Sequence, residues 1–244
     1  MRIMTWIIQN GGAGPDFSRP DLGNVQNIVD VIEGENPDVA VIQEYQTDFE
    51  RMMLGEGLER LSYRHTVWRG DADRGRRNRV LIASKLPFED RERPNLSDYS
   101  KRNWNEIFIP GQELLVIGVD VPLAETRTLG GRIRDNRRAK KQFLDALLDR
   151  FREYQSSEVS ALILGDFNLY AEAVYGEYLA RFEELFTEIT SKEATWRDKK
   201  LDCIFANRAL MGRISERALT PRAAAFSDHK YFFLEMIDRK EAAS

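Results

Sequence analysis

Apolar side chains follow two rhythms along this chain. Some form short unbroken runs, and others recur every three or four residues over longer stretches, so strands and amphipathic helices are both predicted. Residues 2–9, rich in Ile and Trp and stopped by Gly11-Gly12, read as a buried strand. Leu22, Val25, Ile28, Val29 and Ile32 share one helical face, which predicts a helix over 22–35. Pro37-Asp38 then opens Val39-Ala40-Val41-Ile42, a second buried strand that delivers Gln43 and Glu44 at its end. A helix over 46–60 and a loop over 69–79 lead into a strand at Val80-Leu81-Ile82-Ala83, and 87–93, 104–109 and 113–121 also read as strands. The longest helical pattern covers 132–154, with Phe143, Leu144, Leu147, Leu148 and Phe151 on one side. Ala161-Leu162-Ile163-Leu164 is a further strand, broken at Gly165-Asp166-Phe167-Asn168. A helix over 171–186, a strand over 201–206 and a last strand over 231–237 complete the pattern. Many strands follow one another directly, so a βαβ repeat does not fit, and the pattern predicts an α/β fold layered around mixed sheets.

Composition narrows the class. With 244 residues, 42% of them hydrophobic, the chain can bury a large core, and no linker or internal repeat divides it, so one domain over 1–244 is expected. The apolar start stops at Gln9-Asn10, too short for a secretion signal, and no apolar run approaches the ~20 residues of a membrane span. The single cysteine, Cys203, excludes an intrachain disulfide and cysteine-based zinc binding, and it fits a reducing, cytoplasmic compartment. Net charge of −4 argues against coating nucleic acid by bulk attraction. Charge is uneven, however. Cations gather in 69–79 (Arg69, Arg74, Arg76, Arg77, Arg79) and in 127–141 (Arg127, Arg132, Arg134, Arg137, Arg138, Lys140, Lys141).

Candidate chemistry falls at strand ends, where side chains of layered sheets converge on a cleft. Glu44 follows Val-Ile-Gln, Asp166 and Asn168 follow Leu-Ile-Leu-Gly, Asp202 lies inside Leu-Asp-Cys-Ile-Phe, and Ser227-Asp228-His229 precedes the last strand. Taken singly, Glu44 can cap the following helix and Gly165–Asn168 can be a turn. A carboxylate inside an apolar strand needs a cation or hydrogen-bond donors, and Asp202 paired with His229 meets that need while fixing the imidazole tautomer. Glu44 and Asp228 supply hard oxygen ligands suited to Mg²⁺. Asp166 is placed to orient or deprotonate a water, and Asn168 to donate to a phosphoryl oxygen as charge develops.

In this order and spacing the chain resembles the endonuclease/exonuclease/phosphatase superfamily, in its deoxyribonuclease I and exonuclease III-like form, over essentially its whole length. The matching segments are Met1–Trp6, Val41-Ile42-Gln43-Glu44, Gly165-Asp166-Phe167-Asn168, Leu201-Asp202-Cys203-Ile204-Phe205 and Ser227-Asp228-His229. The resemblance implies a four-layered α/β sandwich, two mixed sheets flanked by helices, and metal-assisted phosphoester hydrolysis. It implies that Glu44 and Asp228 hold Mg²⁺ or Mn²⁺, that Asp166 and Asn168 act on water and phosphate, and that Asp202 pairs with His229.

Two positions depart from the family pattern. Members carry Asn after the Trp of the first strand, where this chain has Ile7, a side chain that neither ligates nor donates. Asn10 is an accessory candidate, but on a regular strand it faces the other way and lies about 10 Å further on. At Val119-Asp120-Val121-Pro122, where many relatives place His or Tyr, Asp120 either donates when protonated, ligates a metal, or caps a turn. The two basic segments are expected to border the cleft and bind a polyanion, with Arg76, Arg77, Arg79, Arg134, Arg137 and Arg138 as substrate contacts. A nuclease hydrolysing a DNA or RNA backbone is the expected function, with nucleic acid as partner, and a phosphatase or phospholipid phosphodiesterase acting on a small phosphoester is the alternative. A cleft that binds without turnover is the third possibility, because of Ile7. No aromatic precedes Lys199-Lys200 closely enough to suggest the lesion pocket of abasic-site repair enzymes, and His65 reads as structural.

Overall fold

A computed structural model describes residues 1–8, 12, 22–46, 49–69, 78–92, 94–96, 98–127, 131–169, 173–214, 219–224 and 227–237. Five strands form the first sheet: β1 (Arg2–Ile7), β2 (Val39–Tyr45), β3 (His65–Trp68), β4 (Arg79–Ser84) and β13 (Phe232–Glu235), in the order β13-β1-β2-β4-β3. Six form the second: β5 (Glu89–Asp90), β6 (Trp104–Ile109), β7 (Leu114–Asp120), β10 (Ser160–Asp166), β11 (Thr187–Glu188) and β12 (Asp202–Ala206), in the order β11-β12-β10-β7-β6-β5. Each sheet is mixed: β1 with β2 and β7 with β10 are parallel, and the remaining pairs are antiparallel.

Alternation along the strands sorts the core into three layers of contact. Ile3, Val41, Ile82, Val116, Leu164 and Ile204 meet between the sheets. Met4, Trp6, Ile42 and Leu81 turn outward onto Val25, Ile28 and Ile32 of α1 (Leu22–Glu35) and Leu58 of α2 (Phe49–Arg60). On the far side, Leu115, Ile117 and Ile163 pack against Phe143, Leu147 and Phe151 of α4 (Arg137–Gln155) and Phe182 of α5 (Ala173–Leu185), with the short α3 (Asp98–Lys101) leading into β6. Helix, sheet, sheet, helix is the expected four-layered sandwich.

Local departures have local causes. Residues 132–136 are not helical: Ile133–Asp135 is β9, paired with β8 (Glu125–Arg127) in a separate hairpin. The apolar stripe of α4 starts only at Phe143, Ile133 is exposed, and Asn136 ties the hairpin instead, its N–H to Ala124 O and its Nδ2 to Thr126 Oγ1. The strand expected over 87–93 contracts to Glu89–Asp90, and β3 is an unexpected edge strand.

Candidate active site

The register of the second sheet sets the site. Asp166 at the end of β10 lies directly opposite Asp120 at the end of β7 and directly opposite Asp202 at the start of β12. Directly opposed residues share a face, so three carboxylates form one row across three adjacent strands. That face is the inner one, because Val116, Leu164 and Ile204 share the parity of the three aspartates and pack between the sheets. Gly165 makes the parallel pairing possible: a Cβ there would stand 2.0 Å from Val119 O, and its φ of 137° is open to glycine.

Glu44 reaches the same space from the first sheet by an irregularity. Ile42 pairs with Leu81 but Tyr45 pairs with Arg79, so Gln43 and Glu44 together oppose Val80. Regular alternation would turn Glu44 outward beside Ile42. The bulge, with Glu44 at φ 60°, aims it inward instead. Its charge acts on Asp120, Asp166 and His229. Gln43 is fully buried beside it, with Nε2 donating to Thr5 Oγ1 at 3.1 Å.

His229 closes the site. Its Nδ1 lies 3.1 Å from Asp202 Oδ2, while Trp6 Nε1 donates to its carbonyl at 3.4 Å. Ser227 acts as a clamp: its hydroxyl donates to Ile7 O at 2.8 Å and accepts from the His229 N–H at 3.2 Å. Burial opposes charge on the ring, but the hydrogen bond and charge of Asp202 outweigh it, so the imidazole holds its proton more tightly than usual. Two of the carboxylates are raised. Burial first, then the charge of Glu44, pushes Asp120 up to about 7. Burial, then Asp202, Asp120 and Glu44, pushes Asp166 well above the carboxylate range.

The remaining assigned residues divide. Asn168 adopts a left-handed φ of 49°, its N–H bonded to Asp166 Oδ1 at 2.9 Å and its Nδ2 to Val121 O at 3.0 Å. Asp228 is exposed, its Oδ2 accepting from Trp196 Nε1 at 2.8 Å. Ile7 is 1% exposed, on the inward parity of Ile3 and Thr5, and offers no polar atom from its side chain. Arg79 is a correction: it is 1% exposed, with its guanidinium 5.3 Å from the Trp68 ring, so it belongs to the interior and not to the cationic surface. Arg134, Arg137 and Arg138 are exposed on the hairpin and the start of α4, with Arg137 paired to Glu125 and Asp135. Asn10, Arg76 and Arg77 lie outside the described residues.

Sequence reasoning missed two contributors. Trp196 stands beside Lys199, since the turn between them folds back through backbone bonds in both directions, and Lys199 Nζ lies 5.8 Å from the indole centre. An aromatic therefore does border this corner; its signal was Thr195-Trp196 six residues before Asp202, not an immediate neighbour. Thr195 is the other: its buried hydroxyl accepts from the N–H groups of Leu201 at 3.0 Å and Asp202 at 3.1 Å, steadying the entry to β12.

Among the described residues no group of three His, Cys, Asp or Glu side chains is arranged to enclose an ion. Mg²⁺ does not require such a cage, because it keeps several waters and uses one or two carboxylates with substrate phosphate. Asp120 and Asp166 are raised by burial and by neighbouring carboxylate charge, which a hard divalent cation bound close by would relieve.

The sequence matches the model of the endonuclease/exonuclease/phosphatase family over residues 16–229, and the chain belongs to that family. No curated protein matches it. Among solved structures, it resembles an AP endonuclease from Archaeoglobus fulgidus (TM-score 0.70, 18% identity, 97% of this chain and 99% of that one). It also resembles the 3′ phosphatase NExo from Neisseria bound to a product DNA hairpin (TM-score 0.71, 18% identity, 97% and 99%). A third likeness is to TDP2 from C. elegans (TM-score 0.67, 15% identity, 97% and 74%). At these identities the structural likeness shows a common fold. No helix among the described residues is long and apolar enough to cross a membrane.

Proposed function

We propose that the chain is a divalent-metal-dependent phosphodiesterase that cleaves a nucleic-acid backbone. The observation that carries this reading is the in-register row Asp120, Asp166 and Asp202, faced by bulge-directed Glu44 and flanked by His229. Glu44 and Asp228 are the proposed ligands of Mg²⁺ or Mn²⁺, which when bound supplies Lewis-acid stabilisation of negative charge on the phosphoryl group.

The other roles belong to the chain itself. Ionised Asp166 has a high proton affinity, which suits it to take a proton from an attacking water. Asn168, held by its own backbone and by Val121 O, keeps a second amide N–H for a phosphoryl oxygen. Asp202 favours the charged ring of His229, which suits the imidazolium to donate to the oxygen on which charge develops. Nucleic acid as substrate is supported by the exposed Arg134, Arg137 and Arg138 and by the DNA hairpin bound to the Neisseria neighbour.

A second reading, binding without turnover, rests on Ile7. Loss of one polar contributor to transition-state binding costs on the order of 10²–10³ in rate. Supercoiled-plasmid nicking and turnover of bis(4-nitrophenyl) phosphate, measured in Mg²⁺ for the chain and for Ile7→Asn, separate the readings. Nicking in either form supports the nuclease; turnover of the small diester alone supports a small-phosphoester enzyme; DNA binding with turnover in neither form overturns both enzymatic readings.

A further inference from the structure

Lys140 belongs to the basic run 127–141, yet its side chain lies inside the protein at 2% exposure. It projects from the first turn of α4, where its own N–H bonds Asn136 O at 2.9 Å, and Nζ donates to Asn168 O at 2.7 Å and lies 4.3 Å from the centre of the Tyr175 ring. Asn168 needs such a hold. Its left-handed φ of 49° follows Gly165 at 137°, so the turn carrying the proposed water- and phosphate-directed groups is built from conformations that L residues rarely adopt. Three bonds from three directions fix this residue. Its N–H goes to Asp166 Oδ1, its Nδ2 to Val121 O, and its carbonyl accepts from Lys140 Nζ. The first two tie it within the second sheet, and Lys140 alone of the three reaches it from a helix.

We propose that Lys140 is a positioning residue that acts through Asn168: its ammonium holds the Asn168 carbonyl so that the amide side chain faces the reacting phosphate. The inference rests on the phosphodiesterase reading for its consequence, but not for its geometry. A role in packing and a role in positioning predict opposite behaviour for Lys140→Met. Replacing the buried ammonium by an apolar side chain of similar length removes a charge that is costly to bury, but it also leaves the Asn168 carbonyl without its donor, so the two effects on stability oppose each other.

Lys140→Met is therefore expected to melt close to the temperature of the parent chain. Amide hydrogen exchange at Asn168 is expected to rise at least about tenfold, with the β7–β10 ladder unchanged. For a small phosphodiester kcat is expected to fall roughly 10–100-fold with KM little altered, since a misplacement of about 1 Å costs on the order of 10². In an Asn168→Ala background Lys140→Met is expected to cost nothing further, the signature of two residues acting as one unit. Unchanged exchange at Asn168, a kcat loss that follows a lowered melting temperature, or additive losses in the double variant would each overturn the assignment. Absence of turnover from both the chain and Ile7→Asn would count against the phosphodiesterase reading instead, and the exchange measurement would still decide whether Lys140 holds Asn168.

Discussion

Asp120→Asn offers a test of the carboxylate row that needs no turnover. Asp120 ends β7 opposite Asp166, and its pKa of about 7 stands some three pH units above the ordinary 3.8. The sign follows from linkage. An unfolded chain loses this proton near pH 4 while the folded chain keeps it toward pH 7, so without divalent cation the group's contribution to stability is full below pH 4 and falls as pH rises to 7. At roughly 1.4 kcal/mol per pH unit the loss is at most about 4 kcal/mol, and because Asp120 retains partial solvent contact at the strand end we expect ~2 kcal/mol. An amide of the same shape does not ionise. Urea unfolding in EDTA should find Asp120→Asn close to the parent chain at pH 4.5 and more stable by ~2 kcal/mol at pH 7.5. The parent should regain that margin at pH 7.5 on addition of Mg²⁺, and the variant should gain less. An equal difference at both pH values, or a less stable variant at pH 7.5, would refute the raising of Asp120 by burial and by the charge of Glu44.

Other perturbations address single elements of the account. Gly165→Ala should destabilise the fold by more than about 4 kcal/mol in urea unfolding, since its Cβ meets Val119 O at 2.0 Å and neither backbone can yield without breaking the β7–β10 pairing; a loss under about 1 kcal/mol would contradict the register. His229→Ala in an active background should lower kcat by ~10²–10⁴ with the fold intact by circular dichroism, and retention of more than about a tenth of the rate would remove it from the proposed chemistry. Charge reversal of exposed Arg134 and Arg138 together should weaken DNA binding and flatten the slope of log K against log salt by about two, as read by fluorescence anisotropy; an unchanged slope would return both to ordinary surface.

Strand and helix rhythm made the layers legible, because apolar periodicity depends on burial and the sandwich buries both faces of each sheet. The site was legible only as a set of residue types. The three aspartates are visible in the sequence, but their alignment depends on how β7, β10 and β12 are paired, and pairing is nonlocal. Glu44 shows the limit most clearly: alternation from Val39 turns it away from the cleft, and the bulge between Ile42 and Tyr45 that turns it back has no local signature. Arg79 and Lys140 were counted as surface cations on charge alone, whereas Arg79 packs over Trp68 and Lys140 is drawn in by the Asn168 carbonyl. Trp196 stands only three residues before Lys199, but that it borders the site depends on the turn that folds it back beside Lys199 and sets its indole N–H on Asp228, 32 residues on.

Carboxylates of the two sheets share one space beside Glu44 and Asp228, the proposed ligands, and calorimetric titration of Mn²⁺ at pH 7 in buffers of different ionisation enthalpy reads whether a divalent cation binds there. Carboxylates raised as Asp120 and Asp166 are must shed protons when a cation binds. Saturable binding with net proton release is expected, weakened at least about tenfold in Glu44→Gln. Absence of binding, or binding without proton release that Glu44→Gln leaves unaltered, would contradict it.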